Sequence, residues 1–167
     1  MKLSDVKNYE AAVSYCLEIP RFTKKNSTET TKAFYEYLGK PGGASKIVHV
    51  AGTNGKGSVC AFLQSICMQM NMKVGMFTSP HLCDITERVR IDGECMKKEA
   101  FFSVFKQLSD RLLEFQAEHE EQREYHPSFF EWLFFIGMLY FEKESQRESF
   151  RLHWHDRMEI IRVRSGK

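Results

Sequence analysis

Three absences narrow the class of protein to which this sequence can belong. Its 24 basic and 22 acidic side chains leave a formal net charge of only +2, so it has no electrostatic footprint for nucleic acid or for an anionic membrane. No apolar run approaches the roughly 20 residues that span a bilayer. The N-terminal stretch MKLSDVKNYE has no apolar signal core. We therefore expect neither a nucleic-acid partner nor a membrane partner.

Paired cysteine spacing is also absent. The chain has five cysteines, an odd number, and no two of them form a Cys-x-x-Cys pair. A disulfide framework normally uses an even set of cysteines, whereas a chain that keeps its thiols reduced has no such need. We interpret the sequence as a reduced, cytoplasmic protein with buried thiols. Its hydrophobic content of 43% is enough for a packed globular core.

Helical and strand patterns alternate along the chain. Apolar residues recur at helical spacing from Ser4 to Glu18, from Ser27 to Leu38 and from Lys98 to about Glu120, and the run WLFFIGMLYF predicts a further, buried helix. Two short β-rich runs, KIVHV and KVGMFT, flank a helix predicted over Val59 to Met70. A strand, a helix and a strand within about 30 residues predict a βαβ unit and a parallel sheet.

The strongest functional pattern is the glycine-rich segment between the first strand and its helix. Glycines let backbone N–H groups converge on phosphate oxygens. The helix N-terminus adds a partial positive charge, and a lysine adds a full positive charge. A hydroxyl just past the lysine can bind a phosphate-bound Mg²⁺. The alternative is a turn that merely connects strand to helix. The segment comprises Gly52, Thr53, Asn54, Gly55, Lys56, Gly57 and Ser58.

The spacing of this segment departs from the ordinary P-loop, G-x-x-x-x-G-K-[ST]. Val50 stands where the first glycine would be, and Gly57 separates the lysine from the hydroxyl. The flanking strand and helix are nevertheless those of a nucleotide-binding loop. We therefore expect nucleotide binding here, with phosphates as the groups bound.

Four motifs in register resemble one protein family. The order and separation of these motifs resemble those of the folylpolyglutamate synthase and dihydrofolate synthase family, a branch of the Mur-type ATP-dependent ligases. The four motifs are HVAGTNGKGS, FTSPHL, ERVRIDGE and SFFE. The resemblance covers about residues 2–144. It implies an α/β fold class, an incomplete P-loop-containing domain of the Mur-ligase type with a parallel sheet and flanking helices.

The resemblance also implies an activity, an ATP-dependent ligase that attaches L-glutamate to dihydropteroate or to the γ-carboxyl of a folate. ATP would phosphorylate the substrate carboxylate, and the glutamate amine would attack the acyl phosphate. ATP and Mg²⁺ are the implied cofactors. The sequence leaves open which of the two substrates is preferred.

Site residues follow from the motif positions. Residues 54–57 would hold the ATP phosphates, with Lys56 as the cation. Ser79 of TSPHL would bind Mg²⁺, with Ser58 as a further hydroxyl near it. The SFFE segment would line the pterin site; its residues are Ser128, Phe129, Phe130 and Glu131.

Structural roles compete with several of these assignments. Ser79 could simply end a strand, and the two phenylalanines of SFFE could be ordinary core. Glu131 stands at capping-box spacing from Ser128, and closing that box is the role we favour for it. A lone histidine such as His81 more often has a structural role than a catalytic one.

A second group of polar residues has two interpretations that the sequence does not separate. Glu87, Arg88 and Arg90 belong to the motif ERVRIDGE. They could position an anionic substrate, or they could form the solvated edge of a hairpin whose turn is Asp92-Gly93.

Beyond Glu144 the resemblance stops. The family continues with a buried strand and a motif of the type E-V-G-L-G-G-x-x-D-A-T-N, whose glutamate binds Mg²⁺, and with a second domain. The sequence reads SQRESFRLHWHDRMEIIRVRSGK instead. We therefore expect weak Mg·ATP binding and no ligation by this chain alone.

The last residues resemble the first motif of a cupin domain, as in certain bacterial transcription regulators. Two histidines at i and i+2 in a strand share one face, and a glutamate could complete a partial metal set. The glycine usual before the first histidine is absent, with Arg147 in its place. The residues concerned are His153, His155 and Glu159.

Two segments are thus predicted. Residues 1–144 would be the N-terminal portion of a Mur-ligase-type ATP-binding domain, and residues 145–167 a truncated cupin-like segment or a non-native tail with a short β-like structure. The alternatives to a truncated ligase are a non-enzymatic nucleotide-binding fragment and a metal-binding, cupin-type regulatory module. Uncovered strand edges and apolar faces predict self-association.

Overall fold

A computed structural model describes residues 2–19, 26–149 and 159–165 of the chain. The helices and strands in chain order are α1 (Tyr9–Glu18), α2 (Thr28–Tyr37), β1 (Lys46–Gly52), α3 (Lys56–Gln69), β2 (Val74–Phe77), β3 (Val89–Ile91), β4 (Glu94–Cys95), α4 (Lys98–Glu118), α5 (Phe129–Ser149) and β5 (Glu159–Ser165). Short 3₁₀ turns lie at Leu3–Asp5, Ile85–Arg88 and Glu120–Gln122.

The chain forms two compact units. The helical unit consists of Met1–Pro41 and Lys98–Tyr140, and the sheet unit consists of Gly42–Lys97 and Phe141–Lys167. The helical unit contains α1, α2, α4 and the first part of α5. The sheet unit contains the five strands, α3 and the last part of α5.

The sheet confirms the predicted α/β class. Its strand order is β1-β5-β2-β3-β4. The strands β1 and β2 both pair with β5 in parallel, whereas β3 and β4 are antiparallel additions. The two strands of the predicted βαβ unit are therefore parallel but not adjacent, because β5 lies between them. The helix α3 packs on these three strands.

The core of the helical unit is rich in aromatic side chains. Trp132 is fully buried, and its ring centroid lies 5.6 Å from that of Tyr15 and 5.5 Å from that of Phe105. Phe34 is also fully buried and packs against Phe115 and Tyr125. Aromatic contacts thus join all four helices of this unit, which confirms that the apolar run of α5 is buried.

The first helix begins later than its periodicity predicts. Ser4 lies in the 3₁₀ turn, and its hydroxyl donates to the Asp5 carboxylate instead of capping a helix. Asn8 is the N-terminal cap, because its side-chain oxygen accepts a hydrogen bond from the Ala11 N–H. By contrast, α2 begins directly after Ser27, which caps it, close to the predicted start. Asp92-Gly93 forms the turn between β3 and β4, as predicted.

The predicted cupin-like metal site is not supported. Glu159 begins β5, which pairs in parallel with β1 and with β2 inside the α/β sheet. Cupins are antiparallel jelly rolls, so a strand with two parallel neighbours does not belong to one. His153 and His155 lie outside the described residues. The local His-x-His-x₃-Glu spacing suggested the wrong class because strand pairing is a long-range property that spacing does not encode.

None of the helices in the described part of the chain is both long enough and apolar enough to span a bilayer.

Candidate nucleotide-binding site

The glycine-rich segment forms an exposed loop between β1 and α3. Gly52 ends β1 and Lys56 is the first residue of α3, so only Thr53, Asn54 and Gly55 connect strand and helix. The strand β1 runs parallel to its neighbour β5, which places the loop at the carboxyl ends of parallel strands. In open α/β sheets this edge is where ligands bind.

Gly55 makes the turn into α3 possible. It is the N-terminal cap of the helix and has a φ of 76°, in the left-handed region that glycine adopts without steric cost. It has no side chain to accept hydrogen bonds from the first turn of α3. The first-turn N–H groups of a helix need external acceptors, so this end of α3 is open to an anion.

Lys56 closes the loop on itself. Its ammonium group donates hydrogen bonds to the carbonyl oxygen of Gly52, at 2.5 Å, and to that of Thr53, at 3.0 Å. The side chain is half-buried, whereas Gly52 to Gly55 are exposed. The cation therefore already lies over the loop that would receive phosphates. It would need only to exchange carbonyl oxygens for phosphate oxygens.

The two serines predicted to bind Mg²⁺ both belong to the sheet unit. Ser58 is exposed in the first turn of α3, and Ser79 is half-buried just after β2. Among the described residues, no group of three or more His, Cys, Asp or Glu side chains could hold a metal ion. Mg²⁺ accepts oxygen ligands and retains several waters beside substrate phosphates. Two hydroxyls therefore suit a nucleotide-bound Mg²⁺ better than a free ion.

The residues of ERVRIDGE hold the loop that contains Ser79. The Glu87 carboxylate accepts backbone N–H groups from Leu82, Cys83 and Asp84. These backbone hydrogen bonds outweigh the opposing effect of burial and hold the pKa of Glu87 below its usual range. Arg88 is buried and donates from Nε to Nδ1 of His81, at 2.7 Å. In the structure, Glu87 and Arg88 both hold this loop, a role that neither of the two interpretations from the sequence included.

The SFFE residues open α5 in the helical unit. The Glu131 carboxylate accepts hydrogen bonds from the Ser128 N–H and hydroxyl, from Asn26 Nδ2 and from Thr31 Oγ1, at 2.8–2.9 Å. Burial raises the pKa of Glu131, but these hydrogen bonds outweigh burial and leave it below its usual value. The Ser128 hydroxyl also accepts the Glu131 N–H, at 3.4 Å. Glu131 therefore closes the capping box, the role that we favoured.

The side chains around SFFE are largely committed to packing. Phe129 is buried and Phe130 is half-buried. The His126 ring stacks on Trp132 at 5.1 Å and 4°, and its Nδ1 lies 2.7 Å from the carbonyl of Pro127. A carbonyl only accepts, so Nδ1 is the donor and Nε2 accepts from the hydroxyl of Tyr15. Burial lowers the pKa of His126 and favours this neutral form.

Sequence reasoning missed Asn26 and Thr31 as partners of Glu131. They lie about 100 positions from it in the chain, and nothing local indicates the contact. The role of Glu87 did have a local indication. Asp84 precedes Glu87 by three positions, the spacing of a capping box, and the structure contains both bonds of that box.

The sheet and the helix α3 that packs on it form an α/β domain, and comparison with known proteins gives its family. No protein-family model matches the chain. It is 33% identical over 135 residues to a probable bifunctional folylpolyglutamate synthase/dihydropteroate synthase of Haloferax volcanii, a match that covers 81% of this chain and 16% of that protein. It is 40% identical over 73 residues to the dihydrofolate synthetase of Saccharomyces cerevisiae, covering 44% and 17%.

Solved structures agree with these relatives. The apo form of Lactobacillus casei folylpolyglutamate synthase superposes with a TM-score of 0.77 at 26% identity, covering 93% of this chain and 35% of that one. A complex of this type of enzyme with AMPPCP and folate matches with the same TM-score, identity and coverage. The chain is thus related to the N-terminal part of proteins of the folylpolyglutamate synthase and dihydrofolate synthase family. It spans about a sixth of the two curated relatives and about a third of the solved chains.

Proposed function

We propose that this chain is the nucleotide-binding part of an ATP-dependent ligase that adds L-glutamate to dihydropteroate or to the γ-carboxyl of a folate. The proposal depends on the loop from Gly52 to Ser58, which joins a parallel strand to the N-terminus of a helix. The ammonium group of Lys56 lies over this loop and donates to the Gly52 carbonyl oxygen. The relative solved with AMPPCP and folate supports the same chemistry. The preference between dihydropteroate and folates is not part of the proposal.

The loop residues would bind and orient the ATP phosphates. The first-turn N–H groups of α3 and the dipole of that helix favour anionic oxygens. Lys56 would transfer its hydrogen bonds from the Gly52 and Thr53 carbonyls to phosphate oxygens. Charge-assisted bonds of this kind are about twice as strong as neutral ones.

Ser58 and Ser79 would hold a nucleotide-bound Mg²⁺ through their hydroxyls. When bound, the ion neutralises phosphate charge and favours phosphoryl transfer to the substrate carboxylate. The segment from Ser128 to Glu131 is proposed to line the pterin site through Phe130, which is its half-buried aromatic side chain. Glu131 contributes by fixing the start of α5.

Activity is expected to stop at nucleotide binding. The part of the chain that the structure describes contains no group of three or more His, Cys, Asp or Glu side chains that could hold a metal ion, and the chain spans only about a sixth of the two curated relatives. We therefore propose that residues 1–144 form the N-terminal portion of the ATP-binding domain and that this chain alone does not ligate. Its five cysteines are free thiols, which supports a cytoplasmic location.

The test is a calorimetric titration of the purified chain with Mg·ATP, followed by an assay of glutamate transfer to dihydropteroate in the same preparation. We expect saturable ATP binding and no transfer. Transfer that Lys56→Ala abolishes would overturn the proposed inactivity. A chain that binds no ATP at millimolar concentration would overturn the nucleotide site itself.

We also propose that the chain self-associates through one surface of the sheet unit, with a second copy of this chain as the occupant. Val59, Phe62, Ile66 and Met70 form an exposed apolar stripe on α3, and Phe62 is 69% exposed. The strand β1 pairs with β5 on one side, and no described strand pairs with its other side. Ile47 and Val48 of β1 are exposed as well.

The charge pattern suits a symmetric pair. Between Gly57 and Met72, which include nearly all of α3, there is no charged residue. If two copies of β1 pair antiparallel about His49, then Lys46 of each copy faces Gly52 of the other and the two His49 side chains face each other, so the two lysines are not opposed. The uncharged stripe of α3 can likewise meet its own copy without repulsion between charges.

Phe62→Glu is expected to weaken this association by at least about tenfold, because it places a charge in the apolar stripe. Sedimentation velocity over a concentration series measures the effect. Leu113→Glu is the matched control, since Leu113 is 51% exposed on α4 of the helical unit. A wild-type chain that stays monomeric at about 100 μM, or equal weakening by both variants, would contradict the proposal.

A further inference from the structure

The loop from Thr78 to Asp84 has no regular secondary structure and yet contains Ser79. It connects β2 to the 3₁₀ turn Ile85–Arg88. Leu82 is 90% exposed, so apolar burial does not hold the middle of the loop. Its conformation must therefore come from polar anchors.

Glu87 provides the first anchor. Its Oε2 accepts the Leu82 N–H at 2.9 Å, and its Oε1 accepts the N–H groups of Cys83 at 2.9 Å and Asp84 at 2.8 Å. One carboxylate thus gathers three successive backbone donors through both of its oxygens. A glutamine in the same place would offer one oxygen and an NH₂ group that would oppose an N–H donor.

Asp84 fixes Glu87 in return. Its Oδ1 accepts the N–H and the hydroxyl of Thr86, at 2.9 and 2.7 Å. The Glu87 N–H donates to the Asp84 carbonyl, at 3.1 Å. The loop and the 3₁₀ turn therefore hold each other through a reciprocal capping box.

Arg88 provides the second anchor, at the start of the loop. Its carbonyl accepts the Thr78 N–H at 2.9 Å, and its Nε donates to Nδ1 of His81 at 2.7 Å. A guanidinium only donates, so Nδ1 of His81 is the acceptor and the neutral ring carries its proton on Nε2. Ser79 lies between Thr78 and His81 in the sequence. Arg88 therefore holds the chain on both sides of Ser79.

We propose that Glu87 is a positioning residue that, with Arg88, holds the loop of Ser79 in the conformation that binds the metal of a metal–nucleotide complex. The inference rests on the proposed function, because it assigns Ser79 to the Mg²⁺ of bound ATP. Glu87 acts through the backbone of Leu82 to Asp84 and touches neither the phosphates nor the phosphate loop in this account.

The test compares Glu87→Gln with the wild-type chain by two measurements. Hydrogen exchange at the amides of Leu82, Cys83 and Asp84 reports the clamp without any ligand. The ratio of ATP affinity in Mg²⁺ to that in EDTA reports the positioning role. Glu94→Gln is the matched control, since Glu94 is exposed on β4 of the same unit. Equal melting temperatures of the two variants show that Glu87→Gln folds.

We expect Glu87→Gln to accelerate exchange at these three amides by about tenfold and to remove most of the affinity gained from Mg²⁺. ATP affinity in EDTA should stay unchanged, because the phosphate loop is intact. Unchanged exchange would overturn the clamp. Faster exchange with an intact Mg²⁺ effect would overturn the positioning role and leave Glu87 as a purely structural residue.

A wild-type chain that binds no ATP in either condition would overturn the proposed function, and the positioning role with it. The exchange measurement would still decide whether the clamp exists.

Lowering the pH provides a further test of the clamp. The pKa of Glu87 is lowered in the folded chain, so its contribution is complete above the ordinary pKa of a glutamate and is lost as the pH falls through the folded value. Protection of the three amides, measured against the intrinsic exchange rate at each pH, should therefore decrease over that acidic range in the wild-type chain and not in Glu87→Gln.

Discussion

Replacing Lys56 by alanine is expected to weaken ATP binding by about 10- to 100-fold, because a hydrogen bond to a charged group contributes about 1.4–2.8 kcal/mol. The ammonium lies over the loop in the free chain, with Gly52 and Thr53 carbonyls as its partners. Removing it deletes the one full positive charge of the loop and also opens the loop. Titration calorimetry with Mg·ATP measures the loss directly.

Lys46→Ala is the control for this substitution. Lys46 begins β1 of the same unit and is exposed, so its loss changes net charge equally without touching the loop. We expect its ATP affinity to remain within about twofold of wild type, because Lys46 begins β1 whereas the loop follows the end of that strand, and salt screens an exposed charge over this distance. Equal losses in the two variants would show that ATP binding depends on overall charge and would contradict a phosphate site at residues 52–58.

Trp132→Ala is expected to destabilise the helical unit by about 3–5 kcal/mol, the cost of truncating a buried aromatic side chain to alanine. Trp132 is fully buried, stacks on His126 and contacts Tyr15 and Phe105. A small domain has only about 5–15 kcal/mol of unfolding free energy, so this loss is a large share of it. Urea denaturation followed by circular dichroism measures the change.

Leu113→Ala is the matched control on the same unit. Leu113 is half-exposed on α4, and a substitution there should change the unfolding free energy by less than about 1 kcal/mol. A Trp132→Ala variant as stable as Leu113→Ala would mean that α1 and α4 do not pack against Trp132. Trp132→Phe should recover part of the loss, because an aromatic ring refills most of the space.

The helices and the phosphate loop could be predicted from sequence because their determinants are local. The period of apolar residues placed α4 at Lys98 to about Glu120, and it is observed at Lys98–Glu118. The loop from Gly52 to Ser58 is one continuous motif whose residue types indicate its chemistry. The helix α1 begins after Asn8 and not at Ser4, because several polar residues precede the apolar pattern and only backbone geometry decides which of them caps the helix.

What sequence reasoning did not provide depends on contacts between distant positions. The place of β5 between β1 and β2 is set by pairing across more than 80 residues of chain. The hydrogen bonds from Asn26 and Thr31 to Glu131 cross about 100 positions. For β5, local spacing suggested a metal cluster, whereas the strand belongs to an α/β sheet. For Glu131, local spacing predicted the capping box with Ser128 but not the two distant partners.

The direction in which α3 faces was also beyond the sequence pattern. Its apolar residues occupy two sides of the helix. Cys60 is buried with Leu63 and Cys67 beside it, while Phe62 and Ile66 are exposed. Periodicity identifies a helix but does not choose between two apolar sides when both are available.

Binding of ATP phosphates at residues 52–58 is tested most directly by an amide-resolved NMR titration of the wild-type chain with Mg·ATP. We expect the largest shifts at the N–H groups of Gly55 and Gly57 and around the N-terminus of α3, with smaller shifts near Ser79. Residues of the helical unit core, such as Trp132, should not respond through phosphate contact. Shifts confined to other residues, with the loop unchanged at saturation, would contradict the account.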